Sequence, residues 1–130
     1  MSEHPNVARM RAGYEAFGKG DLDTLREQWA PDIVWHERGH TELSGTYRGV
    51  DAVFGYFGRL LELTEGSLRV EPRTFLADDT YGCAPVTVTA HRGDRHLDVL
   101  NLHLVRFVDG LVVEFWDTST DEDTADQFFA

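Results

Sequence analysis

Two stretches of this sequence hold side chains of the kind that move protons or grip metals. The first is Trp35-His36-Glu37-Arg38-Gly39-His40. It fits the H-E-x-x-H pattern in which two histidines hold zinc and the glutamate acts as base. That chemistry needs both histidines on one face of a helix, four residues apart. Here Asp32 to Glu37 is rich in β-branched and aromatic residues and predicts a strand, Gly39 interrupts the motif, and a Ser44-Gly45 turn follows. On a strand the histidines would stand about 13 Å apart at ~3.3 Å per residue, too far to share an ion held about 2 Å from each. The zinc pattern therefore fails its context, and no metal is expected. Glu37, His40 and Glu42 read as solvent-facing loop residues, and Trp35 as a structural residue on the face opposite His36.

The second stretch runs from His96 to Phe107 and alternates. One face carries Leu97, Val99, Asn101, His103, Val105 and Phe107; the other carries His96, Asp98, Leu100, Leu102, Leu104 and Arg106. An amide and an imidazole stand out on an otherwise apolar face. Both faces are apolar at mid-strand, so both should be covered. The next strand places Val113, Phe115 and Asp117 on one face and Val112, Glu114 and Trp116 on the other. The hairpin decides which face joins His103. A two-residue Asp109-Gly110 turn pairs His103 with Trp116, whereas a three-residue loop with Gly110 at positive φ pairs His103 with Phe115 and Asn101 with Asp117. The second is preferred, because it sets Arg106 and Glu114 together outside and gathers Asn101, His103 and Asp117 inside. A histidine and a carboxylate meeting on an apolar face can exchange protons with a substrate.

Several elements must position these groups. Val7, Met10, Tyr14 and Phe17 fall at helical spacing, closed by Gly18 and Gly20. Asp21 caps a second short helix carrying Leu22, Leu25 and Trp29, stopped by Pro31. Val50, Val53, Phe54, Phe57, Leu60 and Leu61 predict a third, amphipathic helix. Strand-like runs then cover roughly 68–77, 80–92, 95–108 and 111–118, and the acidic Asp117–Asp123 segment leads to a short final helix. Three helices followed by a meander of long strands predict an α+β class with an antiparallel sheet, in one domain spanning 1–130.

Composition narrows the function. Acidic residues outnumber basic ones 23 to 12, giving a net charge of −11 with no basic stripe, so neither nucleic acid nor an anionic membrane is an expected partner. Cys83 is the single cysteine, which excludes an internal disulfide and fits a cytoplasmic location. No signal peptide or transmembrane span is evident.

The stretches "YEAFGKGDLDTLREQWAPDIVWH", "LSGTYRGVDAVFGYF" and "LVRFVDGLVVEFWD", in that order, resemble the SnoaL-like polyketide cyclases and the ketosteroid isomerases of the nuclear-transport-factor-like superfamily. The resemblance implies a cone: a strongly curved antiparallel sheet closed by three helices around an apolar pocket. It also implies a homodimer through the outer sheet face, which Leu100, Leu102, Leu104, Val112 and Trp116 would suit. By this resemblance His36 stands where the isomerases keep their proton-moving carboxylate. His103 stands where they keep a protonated acid. Gly13 occupies the oxyanion tyrosine's place, with Tyr14 one step along. The cyclases resemble this chain at His103 and Asp117, their acid–base pair.

The expected activity is an aldol-type cyclisation or an isomerisation of an apolar, polyketide- or steroid-like molecule. Asp117, with its pKa raised toward neutrality by burial, would shuttle the proton. His103 would donate to the enolate oxygen, and His36 would orient substrate or carry a second proton. Asn101 would polarise a carbonyl, and Tyr14, Phe17, Phe54, Phe57 and Phe115 would form the walls. Proton transfer and positioning need no cofactor. The rivals are a non-catalytic module that binds a small apolar ligand, an epoxide hydrolase on the same fold, which would want two inner acids beside an arginine, and a purely structural dimerisation domain.

Overall fold

His4 and Pro5 start the first helix. The proline suits a position whose N–H has no helical partner, and His4 Nδ1 accepts from the Asn6 N–H at 3.0 Å. The computed structural model describes residues 3–130. Helix α1 (Pro5–Lys19) closes at Gly20, whose φ of 68° is the left-handed conformation glycine adopts without strain. Asp21 caps α2 (Leu22–Gln28) by accepting from the Thr24 N–H at 3.1 Å. That helix is shorter than the sequence suggests. Ala30 precedes Pro31 and resists helical backbone, so Trp29 begins strand β1 (Trp29–Glu37) instead of ending α2.

The chain continues through β2 (Gly45–Arg48), α3 (Val50–Leu63), β3 (Arg69–Pro72), β4 (Leu76–Ala77), β5 (Tyr81–Arg92), β6 (Arg95–Val108), β7 (Leu111–Ser119) and α4 (Glu122–Phe129). The class is α+β, with one curved seven-stranded sheet ordered β2-β1-β7-β6-β5-β3 and β4 attached to β5. One ladder corrects the all-antiparallel expectation: β1 and β7 run parallel. The β1–β2 hairpin occupies one edge, and the meander enters from the other edge to meet β1 last.

The β6–β7 hairpin also departs from the expected register. Asp109 at φ 52° and Gly110 at φ 80° form a two-residue turn, so Val108 pairs with Leu111. The register then slips between Arg106 and Phe107, and Val113 is the extra residue of a bulge in β7. His103 therefore faces Asp117 rather than Phe115 or Trp116. The slip also moves Val112 to the inner side with Phe115 and Asp117, so Val112 does not join the outer apolar face.

Helices α1, α2 and α3 cover the inner face. Their Met10, Ala16, Leu25, Val53, Tyr56 and Phe57 pack on Ile33, Val86, Val99 and Val105 from the sheet. Helix α4 lies against β6 and β7 with Phe128 buried, and Arg92 and Arg95 donate to the carbonyls of Phe128 and Ala130. Leu100, Leu102 and Leu104 remain 41%, 42% and 39% exposed on the outer face, so that face is uncovered in a single chain. Among the described residues no helix is long and apolar enough to cross a membrane.

Ile33 is fully enclosed at 0% exposure between the sheet and the helices. Ile33→Ala should lower stability by about 2–5 kcal/mol, seen as a lower urea midpoint at unchanged slope. A loss near zero would mean that the helices do not close on the sheet as described.

Candidate functional site

Two registers bring three titratable side chains into one row across the inner face. His103 on β6 is directly opposite Asp117 on β7, and Asp117 is directly opposite Glu37 on β1. Asn101, two residues before His103, donates through Nδ2 to Asp117 Oδ1 at 3.1 Å. His103 Nε2 lies 3.2 Å from the same oxygen, but off the line a hydrogen bond needs. Tyr14 from α1 reaches His103 Nδ1 at 2.6 Å. Trp35 donates from its indole nitrogen to Glu37 Oε1 at 2.9 Å, and Tyr56 from α3 stands beside the same carboxyl.

These polar groups form the floor of an apolar cavity. Its volume is about 170 Å³, and its walls include Phe17, Trp29, Trp35, Phe57, Val99 and Phe115. A cavity of ~150 Å³ lined by apolar side chains takes benzene, so this one accommodates a molecule of about one ring within its enclosed part.

The two carboxyls diverge electrostatically. Burial pushes Glu37 well above its ordinary range, and the neighbouring Asp117 charge pushes it further. For Asp117, burial pushes upward too, but His103 beside it, the neighbouring Glu37 and the hydrogen bond from Asn101 together outweigh it, leaving this carboxyl below its ordinary range. Adjacent carboxylates in an apolar cavity cannot both ionise, so the pair holds one proton, and it sits on Glu37. Asp117 was expected to titrate near neutrality; the group that is raised is its partner. Burial also raises Tyr14, with the Asp117 charge adding to the effect. A tyrosine held protonated can donate to His103 Nδ1, which leaves a proton on Nε2, the nitrogen that faces the Asp117 carboxylate.

Of the residues singled out from the sequence, Asp117, His103, Asn101, Tyr14, Phe17, Phe57 and Phe115 all line the cavity. His36 and Phe54 do not. Trp35 and Glu37 point inward, so strand alternation turns His36 outward. There it stacks on Trp116 at 5.4 Å and meets Glu114 Oε2 at 2.7 Å. Phe54 packs against Trp29 outside the cavity, with the Arg26 guanidinium 5.0 Å over its ring. Glu37 is the main residue the sequence reading missed, because the strand was judged to fade into a loop there. Carrying the Ile33-Trp35 alternation one step further would have found it. Tyr56 had no such signal, since a helical tyrosine among aromatic neighbours reads as core.

His40 does not face the cavity floor. Its Nδ1 lies 3.4 Å from Glu122 Oε1 and 3.2 Å from Asp126 Oδ2, tying the loop after β1 to α4. Among the described residues this is the group whose ligand-type atoms are close enough for a metal ion, all within 4.8 Å of one another. The two histidines of H-E-x-x-H thus end on different sides of the sheet and share nothing.

Comparison with known proteins fits this geometry. A model of the SnoaL-like domain matches residues 10–115. The uncharacterized protein Rv0034 of Mycobacterium tuberculosis is 27% identical over 131 residues, covering 100% of both chains. The solved structure of Bal32a, from a soil-derived mobile gene cassette, is 31% identical with a TM-score of 0.92 over 96% of each chain. IdmH of Streptomyces antibioticus, a candidate polyketide cyclase, shares the fold at 23% identity and a TM-score of 0.77, over 91% of this chain and 94% of its own.

The proton on Glu37 has a thermodynamic signature. With its folded pKa raised above 4.5, this group contributes stability fully below that value and loses it as pH rises through the folded pKa. Asp117, lowered from 3.8, contributes stability above that value and loses it on acidification. Wild type should therefore lose about 1–3 kcal/mol more than Glu37→Gln between pH 5 and pH 8, measured by urea titration. Parallel stability curves for the two proteins would refute the shared proton.

Proposed function

This chain belongs to the SnoaL-like domain family, and from that premise we propose that it is an acid–base catalyst acting on a small, apolar, oxygenated molecule. The reaction is an aldol-type cyclisation or an isomerisation of a polyketide- or steroid-like ketone. The single observation that carries this reading is the carboxyl pair Glu37–Asp117 beside His103 in an apolar cavity, with Glu37 pushed above and Asp117 held below its ordinary range. Asp117 removes a proton from the carbon next to a carbonyl. The Nε2–H of His103 donates to the resulting enolate oxygen. In cyclisation the enolate carbon attacks a second carbonyl carbon of the same molecule, and Glu37 gives its proton to the new alkoxide. In isomerisation the proton returns to a different carbon. Each step moves protons that these residues already hold, so no cofactor enters the scheme. His36, turned away from the cavity, takes no part.

The same pair supports a second reading, water addition to an epoxide. Asp117 would deprotonate the attacking water, and Glu37 would protonate the departing ring oxygen. This rival wants two inner acids beside an arginine; Glu37 supplies the second acid, and Arg9 and Arg38 line the same cavity.

The outer face, with Leu100, Leu102 and Leu104 exposed, supports a homodimer through the sheet. Leu102→Lys should then shift the protein from dimer to monomer in sedimentation, and an unshifted wild-type monomer would refute the pairing.

Deuterium exchange tests the chemistry without knowledge of the natural substrate. The protein should accelerate exchange at the α-carbon of cyclohexanone in heavy water. Asp117→Asn, which lacks the base, and His103→Phe, which lacks the donor to the enolate oxygen, should each reduce that acceleration by about 10²–10⁴-fold. Exchange no faster than in buffer, or variants as active as wild type, would overturn the enolate reading. Incorporation of labelled water into cyclohexene oxide would favour the hydrolytic one.

A further inference from the structure

Among the described residues, two buried side-chain polar atoms have no hydrogen-bond partner, and both are on the cavity floor: Asn101 Oδ1 and His103 Nε2. Buried polar groups in folded proteins are nearly always paired, so two orphans in one place point to something that pairs them. They sit two residues apart on the inner face of β6, and both side chains converge on Asp117 Oδ1, at 3.1 Å and 3.2 Å. His103 is 6% exposed.

The polarity of each orphan is fixed by its other contacts. Asn101 must turn Nδ2 toward the Asp117 carboxylate, since the reversed amide would set oxygen against oxygen. Its Oδ1 is therefore a free acceptor. His103 Nε2 faces the Asp117 carboxylate at 3.2 Å, where a bare lone pair would be repelled, so Nε2 carries a proton and Tyr14 serves Nδ1 at 2.6 Å; Nε2 is a donor without a hydrogen-bond partner. One ligand group must accept and another must donate, and the two must lie close together on one skeleton.

The geometry points to a neutral hydroxy-ketone, or its enol, as the substrate class. Its carbonyl oxygen accepts from His103 Nε2, and a hydroxyl one or two carbons away donates to Asn101 Oδ1. An anionic ligand is disfavoured, because Asp117 already places a carboxylate beside both atoms and Glu37 stands next to it. The cavity volume of about 170 Å³ sets the part held there at about one ring. This assignment rests on the acid–base reading only in taking the cavity as the substrate's site. It makes Asn101 a specificity residue, where the sequence suggested that it polarises a carbonyl.

The test is a binding panel on the full chain by calorimetry: 2-hydroxycyclohexanone, cyclohexanone, cyclohexanol and cyclohexanecarboxylate. The hydroxy-ketone should bind at least about tenfold more tightly than either single-function analogue, with the carboxylate weakest, because a site built to pair two groups penalises the loss of either. In Asn101→Leu the advantage over cyclohexanone should collapse to within about twofold. In His103→Phe the advantage over cyclohexanol should do the same. If either variant does not fold, the wild-type ranking still decides. Equal affinities across the neutral ligands, or tightest binding of the carboxylate, would overturn the assignment. Binding is read without turnover, so a correct ranking together with failed deuterium exchange would sink the acid–base reading alone. Exchange with no preference for the hydroxy-ketone would sink this assignment alone.

Discussion

Placing two carboxyl groups side by side in an apolar cavity is the constraint on which the rest of this structure turns. An isolated buried carboxylate costs several kcal/mol after relaxation, and two adjacent ones cost more. The chain meets this cost by leaving one proton on Glu37 and by aiming donors at the pair from several elements. Trp35 comes from β1, Tyr56 from α3, Asn101 and His103 from β6, and Tyr14 reaches His103 from α1. None of these elements could shift by a turn without breaking one of these contacts. The helices therefore do more than cover the sheet: they complete the electrostatics of its inner face.

The outer face of the same strands repeats the device in a wetter form. His36 and Arg106 both donate to Glu114, at 2.7 Å and 3.1 Å, and the His36 hydrogen bond, with Arg106 beside it, holds that carboxyl below its ordinary range. Inner and outer acid clusters are thus separated only by the thickness of a sheet, and alternation assigns each side chain to one of them. The bulge at Val113 makes that assignment possible. Without it, the tight Asp109-Gly110 turn would carry its register along the whole hairpin, setting His103 opposite Trp116 and turning Asp117 outward.

The chemistry follows from asymmetry between like groups. Glu37 and Asp117 are both carboxyls on one floor, yet the donors that converge on Asp117 are the ones that stabilise its charge, while Glu37 has neighbours that a neutral acid tolerates. A carboxyl that favours its proton and one that favours its charge stand next to each other because of who surrounds them. The apolar walls keep water from levelling that difference.

The sequence by itself determined the element types, the α+β class, the inner and outer faces of β6, and the membership of His103, Asn101 and Asp117 in one group. These follow from period-2 and period-3.6 patterns that a chain carries locally. Even with the wrong loop length for the last hairpin, the faces came out correctly, because the expected and observed registers differ by two residues and parity is preserved. Tertiary structure alone decided the parallel docking of β1 beside β7, which brings Glu37 to Asp117 from eighty positions away in the chain. It also decided that His36 faces Glu114 and not the cavity, and which carboxyl keeps the proton. Those outcomes depend on strand ends, on a bulge and on the dielectric of an apolar cavity, all properties of the packed chain that no local window contains.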